Sequence, residues 1–465
     1  MGTDAHAGVE SVIAMRELAK SAVRYTWAMS LFGVQQAANV LAPSSSRQPT
    51  QRANAAFFSV KQAAEVQFDD LIFAAYEVGD EVQRGLTGIF FDALTLQAFH
   101  PNYLSQLTSA VVKQSQDTLQ HFSSAENARL VWEELRNNYE VFNLVKHVSS
   151  LLHVPSDDAA FDLKKLVQDA YALGAYPDLW AVEGLGHLYA MTFWNKGRPI
   201  RGILTDVSFD ILPAKSLTMM HAGIGLGFAQ QLMNTITPYS PPEEIQRVLR
   251  EFVSLVDDNS RQGYKGAAYE SLGLVTRFWH SPMVPVVEEH LRQFAPHVLG
   301  YFWHGVGRSL YFLPLYFVPG LLSPWLAIER EAPHEFALLN MTAGLAWATT
   351  IVNVRQPELL ENFIRMRGDH VARTPAFTNG LMSTLIMGID ITPDDTYIMQ
   401  FLDYHSKRSD ARVAELWDRL VAQPAREAVH HIHPILKKHE RLGEVFQYHA
   451  SLSQLAAELE QQGRR

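Results

Sequence analysis

Two helical patterns alternate through residues 155–395. One is amphipathic and carries charged residues along one face, as in PEEIQRVLREFVSLV at 242–256 and PELLENFIRM at 357–366. The other is apolar almost all round and has a glycine near its centre. An amphipathic helix buries one face, whereas a helix that is apolar all round is buried on every side. The alternation therefore predicts an outer layer of charged helices and an inner layer of glycine-marked helices.

Glycines recur at near-constant intervals in the apolar pattern. The marks are Gly186, Gly225, Gly273, Gly307, Gly344 and Gly380, which follow one another at intervals of 39, 48, 34, 37 and 36 residues. A period of this size is typical of stacked helix pairs. Because glycine inside a helix costs about 1 kcal/mol relative to alanine, its recurrence indicates close helix packing or room for a ligand.

Long amphipathic stripes precede these repeats. Apolar residues recur every three or four positions across 55–93, after another helical pattern at 9–41. The sequence thus predicts an all-α protein in three parts: an N-terminal amphipathic helical bundle at 1–154, a curved array of α/α helix pairs at 155–395 and a C-terminal helical extension at 396–465. Strand-like patterns are sparse, and the short pieces 201–212 and 388–393 are interpreted as connections.

One apolar segment is long enough to be considered as a membrane span. Residues 309–328 carry no charge over 20 residues, which is the length of a membrane span. Pro314, Pro319 and Pro324 interrupt the segment, and each lacks an amide donor that hydrocarbon cannot replace. The prolines favour a buried or membrane-touching loop over a span.

Composition then excludes several classes of function. A net charge of −10 with scattered basic residues argues against nucleic-acid binding. The chain contains no cysteine, so disulfides, thiolate metal sites and a thiol nucleophile are excluded. Its first residues lack the basic and apolar regions of a signal peptide, and we expect the protein to be cytoplasmic.

Candidate chemistry lies on one face of the glycine-marked helices. Residues three before and one after each mark are four apart, so they share a helical face. This face carries Glu183 with His187, Glu270, and His304 with Arg308. In a curved array the face points inward, so these five residues form the candidate catalytic set.

Three interpretations of this set stay open. As an acid–base site, Glu183 or Glu270 exchanges a proton while Arg308 holds an anionic or enolate oxygen. As a metal site, the carboxylates and histidines suit iron or zinc, but their spacing matches no usual signature, and neither a metal nor a cofactor is predicted. As a structural feature, Glu183 pairs with His187 and Glu270 with Arg308 in buried ion pairs.

Polar and aromatic residues near the marks are candidates to line a pocket for a large apolar ligand. These substrate-binding candidates are His221, Tyr269, Trp303, Tyr311, Phe312, Trp347 and Asn379. Ordinary core packing is the alternative for the aromatic members.

Three motifs resemble a repeat family encoded in enediyne-antibiotic gene clusters. That family carries GFAYEGAAMG, H-x-G-x-G-W and G-x-G-R-A-L-W-F, to which GYKGAAYESLGL at 263–274, HAGIGLGFA at 221–229 and HGVGRSLYF at 304–312 are similar. The resemblance covers residues 204–388. The resemblance implies an accessory biosynthetic protein that acts on, or holds, a hydrophobic polyketide-derived molecule. It assigns no catalytic residue to this chain. Residues 1–96 resemble phasins, which coat storage granules, in their helical pattern.

Two functions are therefore expected as alternatives. The first is a cofactor-independent enzyme of natural-product metabolism that encloses an apolar substrate and uses the acid–base set. The second is a non-catalytic lipophile carrier, or a protein that binds a lipid or granule surface. Both have an apolar small molecule or lipid as partner and neither has nucleic acid. Peripheral membrane contact and homodimer formation stay open.

Overall fold

The computed structural model describes residues 130–155 with gaps at 131–132, 135, 139, 142–143 and 146, and then residues 162–197, 200–205, 212–312, 324–406 and 410–462. The chain divides into two compact units, Met1–Trp132 and Glu133–Arg465, and the helices below belong to the second. Almost all of the predicted N-terminal bundle lies outside the described residues. Within those residues all regular secondary structure is helical, which confirms the all-α class.

The helices follow one another with short connections. In chain order they are α1 (Val148–Leu151), α2 (Leu163–Tyr171), α3 (Pro177–Asn195), α4 (Leu217–Met233), α5 (Pro242–Asn259), α6 (Lys265–Trp279), α7 (Val284–Phe294), α8 (Leu299–Phe312), α9 (Pro324–Glu331), α10 (Glu335–Asn353), α11 (Pro357–Val371), α12 (Ala376–Ile391), α13 (Thr396–Leu402), α14 (Ala411–Trp417), α15 (Gln423–Glu427), α16 (His433–Lys438) and α17 (Leu452–Gln462).

The six glycine-marked helices form the inner layer. They are α3, α4, α6, α8, α10 and α12, and each packs on the next in this order. Helix α12 also contacts α4, so the row curves back toward its beginning. The inner helices are buried over most of their length, as their uniformly apolar pattern predicts.

Glycine lets the inner helices meet backbone to backbone. A Cβ added to Gly273 would lie 1.8 Å from the carbonyl oxygen of Phe302, and one added to Gly305 would lie 2.1 Å from that of Glu270. At the next contact, a Cβ on Gly344 would lie 1.9 Å from the carbonyl oxygen of His304. No side chain fits at these distances, so the glycines serve close helix packing.

The charged helices lie outside this layer. Helix α5 buries one stripe, which includes Ile245, Leu249, Phe252 and Val256, and packs on α4, α6 and α7. Proline occupies the first turn of α5, α7 and α11, where its missing amide has no partner within the helix. The predicted division into charged outer and apolar inner helices is therefore seen in the described repeats.

The C-terminal helices pack on the same hydrophobic core. The 3₁₀ helix Leu442–Phe446 contacts α6, and the π-helical turn Ala428–Ile432 contacts α12. A second π-helical turn, Asp418–Ala422, joins α14 to α15, whereas Ala428–Ile432 joins α15 to α16. Each turn is followed within two residues by a proline, Pro424 or Pro434.

The structure differs from the sequence interpretation at the end of α12, and it describes only part of the uncharged segment 309–328. Residues 388–391 were expected in a connection but form the last turn of α12, because they continue its apolar pattern without a break. Much of the uncharged segment 309–328 lies outside the described residues, since only 309–312 and 324–328 belong to described helices. One described helix, α10, is long and apolar enough to cross a membrane, and 72% of its apolar window is buried in the protein.

We expect Gly273→Ala to lower the free energy of unfolding by about 1–3 kcal/mol or more, because the new methyl group collides with a backbone carbonyl. Gly368→Ala is the matched control. Its Cβ would meet no backbone atom but only side-chain atoms, the nearest being methyl groups of Leu416 at 2.9 Å and Ile364 at 3.1 Å, and alanine favours the helix by about 1 kcal/mol. Urea unfolding measures both changes, and equal stability of the two variants would contradict the packing role of Gly273.

Candidate functional site

Four charged or titratable side chains meet inside the inner layer. Arg308 donates one hydrogen bond to Glu270 Oε2 at 2.7 Å and another to Glu183 Oε1 at 2.9 Å. His304 Nδ1 lies 2.8 Å from Glu270 Oε1. The exposed fractions of the four residues run from 0% to 3%. We call Glu183, Glu270, His304 and Arg308 the buried charge cluster.

The helix contacts bring these side chains together. Glu270 and His304 each stand three residues before a glycine mark, on α6 and α8, and Arg308 follows the mark on α8. Because Gly305 lies against the backbone of Glu270, helices α6 and α8 are close enough for direct side-chain pairing. Glu183 joins the cluster from α3, where it also stands three residues before its mark.

Electrostatics divides the two carboxylates into different roles. Burial acts to raise the pKa of Glu270, but Arg308 and His304 outweigh it, so the pKa of Glu270 is lowered. Burial raises the pKa of Glu183 above its usual value of 4.5 because its single contact with Arg308 does not fully compensate. Glu270 is therefore held as a carboxylate, and Glu183 is the acid that more readily keeps a proton.

Arg308 remains charged in spite of its burial. Burial alone would lower the pKa of the guanidinium, but Glu270 and Glu183 raise it further than burial lowers it. The guanidinium carbon also lies 4.4 Å from the ring centre of Trp347, in a cation–π contact. The structure thus brings Trp347, a predicted substrate-binding residue, into contact with the cluster.

Polar atoms at this site lack protein partners. His304 Nε2, Arg308 Nε and Trp347 Nε1 make no hydrogen bond with any residue in the described part of the chain. An ionised Glu270 can only accept, so Nδ1 of a neutral His304 carries the proton and Nε2 is a free acceptor. The cluster therefore contains an unused acceptor and two unused donors, Arg308 Nε and Trp347 Nε1, in apolar surroundings.

His187 lies outside the cluster. Its Nε2 is 2.8 Å from Gln230 Oε1, whereas Glu183 turns to Arg308. Burial lowers the pKa of His187, and the hydrogen bond to Gln230 offsets only part of that effect. The predicted pair of Glu183 with His187 is therefore wrong, because α8 supplies a stronger partner, and the predicted pair of Glu270 with Arg308 is confirmed.

His221 has a complete set of partners within the fold. Its Nδ1 donates to the carbonyl oxygen of Leu217 at 2.6 Å, and its Nε2 accepts from the backbone amide of Arg261 at 3.0 Å. The ring also stacks on Tyr264. Both ring nitrogens are used, so His221 fixes the chain before α6 and has no nitrogen left for a ligand.

The other predicted pocket residues do not gather at one place. Tyr269 donates to Asp257 at 2.8 Å, Trp303 donates to Glu288 at 3.3 Å, and Asn379 donates to the carbonyl oxygen of His449 at 2.9 Å. Phe312 packs edge to face on Tyr311. These contacts lie on different helix pairs, which places the residues in separate parts of the fold.

Tyr311, a predicted pocket residue, belongs to a second polar network whose other members were missed by sequence reasoning. Tyr311 donates to Glu134 at 2.7 Å and accepts from Asn353 at 2.7 Å, and Asn137 donates to Asn353 at 3.2 Å. Burial raises the pKa of Glu134. These residues stand at helix positions without a glycine mark, so the repeat register did not reveal them. The adjacent asparagines in the sequence NNYE were the available signal.

Comparisons with protein families, with curated proteins and with solved structures find no match to this chain. Within the described ranges, no group of three or more histidine, aspartate or glutamate side chains is arranged to hold a metal ion.

We expect Arg308→Met to lower the free energy of unfolding by about 3–5 kcal/mol, because it leaves two carboxylates buried without a cation. Lys165→Met is the control, since Lys165 pairs with Asp169 at the surface and such pairs contribute a few tenths of a kcal/mol. Chemical denaturation of both variants at neutral pH measures the difference. A loss of similar size in the two variants would show that the cluster does not stabilise the fold.

His221 makes stability depend on pH. Burial lowers the pKa of His221 from 6.5 to about 4, so the folded protein disfavours the charged ring. Stability is therefore complete above pH 6.5 and falls as the pH drops toward 4, by up to roughly 3 kcal/mol from this residue.

The test compares unfolding free energies of the wild type and His221→Asn between pH 7 and pH 4. The advantage of the wild type should shrink as the pH falls, because asparagine does not titrate. A constant difference across this range would contradict the assignment.

Proposed function

We propose that the protein is a cofactor-independent acid–base enzyme that encloses a large apolar substrate. The observation that supports this function best is the pairing of Glu270 with His304 beside Arg308, with His304 Nε2 left unused. A carboxylate that holds one nitrogen of a histidine orients the ring and stabilises it when it takes up a proton at the other nitrogen.

Each residue then has a distinct task. His304 Nε2 removes a proton from a carbon next to a carbonyl group and returns it at the same or a neighbouring carbon. Glu270 orients His304, and the Nε–H of Arg308 donates to the oxygen on which negative charge develops. Glu183, whose pKa is raised by burial, supplies a second exchangeable proton. The substrate is isomerised, or one of its protons is exchanged with solvent, and no oxidant or cofactor is consumed.

The proposed setting is natural-product biosynthesis in the cytoplasm. It is supported by the resemblance of residues 204–388 to the family from enediyne gene clusters and by the apolar walls around the buried charge cluster. The substrate class is a hydrophobic, conjugated small molecule. Such a molecule offers the acidic C–H bonds that this chemistry needs.

A non-catalytic lipophile carrier is the second candidate. It is favoured by the near-complete burial of the cluster, because a site closed to water can hold a ligand without transforming it. A carrier would use Arg308 only to anchor an oxygen of its cargo. The two functions differ in whether protons of the bound molecule exchange.

The deciding experiment is mass spectrometry of the purified protein under native conditions, followed by transfer into D₂O. An enzyme should hold an apolar compound and incorporate deuterium into it. We expect Glu270→Gln and His304→Ala to slow this exchange by about 10²–10⁴-fold, since each removes part of the acid–base pair. His431→Ala, which alters an exposed histidine outside the cluster, should exchange at the wild-type rate.

Three outcomes count against this assignment. Bound compound without exchange in the wild type would identify a carrier. Wild-type exchange in both cluster variants would place the chemistry elsewhere. A protein that binds no compound would argue against both functions.

A further inference from the structure

A cleft on the surface lies between α11 and the start of α14. Its volume is about 240 Å³, and its lining includes Arg365, Arg367, Arg373 and Arg412. A single water needs only about 10–15 Å³ of such space, so a small-molecule group fits here. We call this the arginine cleft, and it is separate from the buried charge cluster.

The arginine cleft has a local charge opposite to that of the whole chain. Its lining contains four arginines and two aspartates, Asp369 and Asp410, whereas the chain carries a net charge of −10. A concave site with excess positive charge raises the local concentration of small anions.

Both carboxylates are already engaged. Asp369 forms an ion pair with Arg412. Asp410 accepts hydrogen bonds from the backbone amides of Arg412 and Val413, at 3.0 Å and 3.4 Å, and so caps the start of α14. Among the described residues, neither Arg367 nor Arg373 forms an ion pair with these aspartates, whereas Arg365 donates to Asn362 Oδ1.

Two other arginines of the cleft, Arg367 and Arg373, form no ion pair with a described residue. Burial lowers the pKa of Arg367, and Glu329 offsets only part of that effect. Glu329 Oε1 also lies 2.8 Å from Nε2 of His370. The Arg373 side chain is exposed and makes no hydrogen bond or ion pair with any residue that the structure describes. An anion in the cleft would supply the missing partner to both.

We propose that the arginine cleft binds the phosphate group of a small molecule. Guanidinium groups donate two parallel hydrogen bonds to phosphate oxygens, and several of them around one concave site fit a group with more than one negative charge. The partner is identified by this chemistry alone, and the inference does not depend on the acid–base function of the buried charge cluster.

Calorimetric titration of the full-length protein tests the proposal. The probes are pyrophosphate, inorganic phosphate, glycerol 3-phosphate and acetate, each at constant ionic strength maintained with sodium chloride. We expect saturable binding of the phosphate compounds and none of acetate. Tighter binding of glycerol 3-phosphate than of inorganic phosphate would identify an ester as the ligand, and the reverse order would identify free phosphate.

Variants locate the binding in the cleft. Arg373→Ala and Arg367→Ala should each weaken pyrophosphate binding by about tenfold, because each removes a charge-assisted contact. Arg247→Ala, which removes an exposed arginine on α5, should bind as the wild type does. Circular dichroism checks that the variants are folded. If Arg367→Ala does not fold, the binding of Arg373→Ala alone tests the location, because Arg373 is exposed.

The proposal is overturned if phosphate compounds bind no better than acetate. It is also overturned if Arg373→Ala binds pyrophosphate as tightly as the Arg247→Ala control does.

Discussion

Backbone contact between glycine-marked helices is the constraint on which the rest of the structure depends. At these contacts a single methyl group would lie about as far from a carbonyl oxygen as two bonded atoms, as at Gly273 against Phe302. Each such glycine loses helix propensity, and the close approach that it permits recovers stability through packing along the helices. The inner layer therefore exists only where the chain keeps these positions free of side chains.

This close approach also explains why charges can lie in the middle of an apolar protein. Two buried carboxylates and a guanidinium would be costly apart, because each loses its hydration. Arg308 reaches Glu270 on the adjacent helix α6 and Glu183 on α3, both at hydrogen-bonding distance, and every charge has a partner. His304 is bound to the same carboxylate, so the geometry of one residue, Glu270, sets the orientation of two others.

Much of this arrangement, but not all of it, could be predicted from the sequence. Periodic glycines are a local signal, so the inner helices and the face that carries Glu270, His304 and Arg308 could be predicted. Which neighbour that face meets depends on how helices cross, and Glu183 found its partner 125 residues away on α8 and not four residues away at His187. The network around Tyr311 joins residues far apart in sequence with no shared motif, so the asparagines in NNYE could indicate a polar site but not its partners.

The π-helical turns near the C-terminus have a geometric consequence of their own. Each wide turn takes an extra residue into the helix, so side chains beyond it are rotated by about 100° relative to an uninterrupted helix. Pro424 and Pro434 lack the amide that a regular turn would need, and the wider turn accommodates them. The run from Ala411 to Lys438 thus consists of three α-helical segments joined by two π-helical turns. In the last segment His433 and Lys437, four residues apart on one face, both contact the buried carboxylate of Asp390, and the rotation at the two wide turns sets which face of the segment meets it.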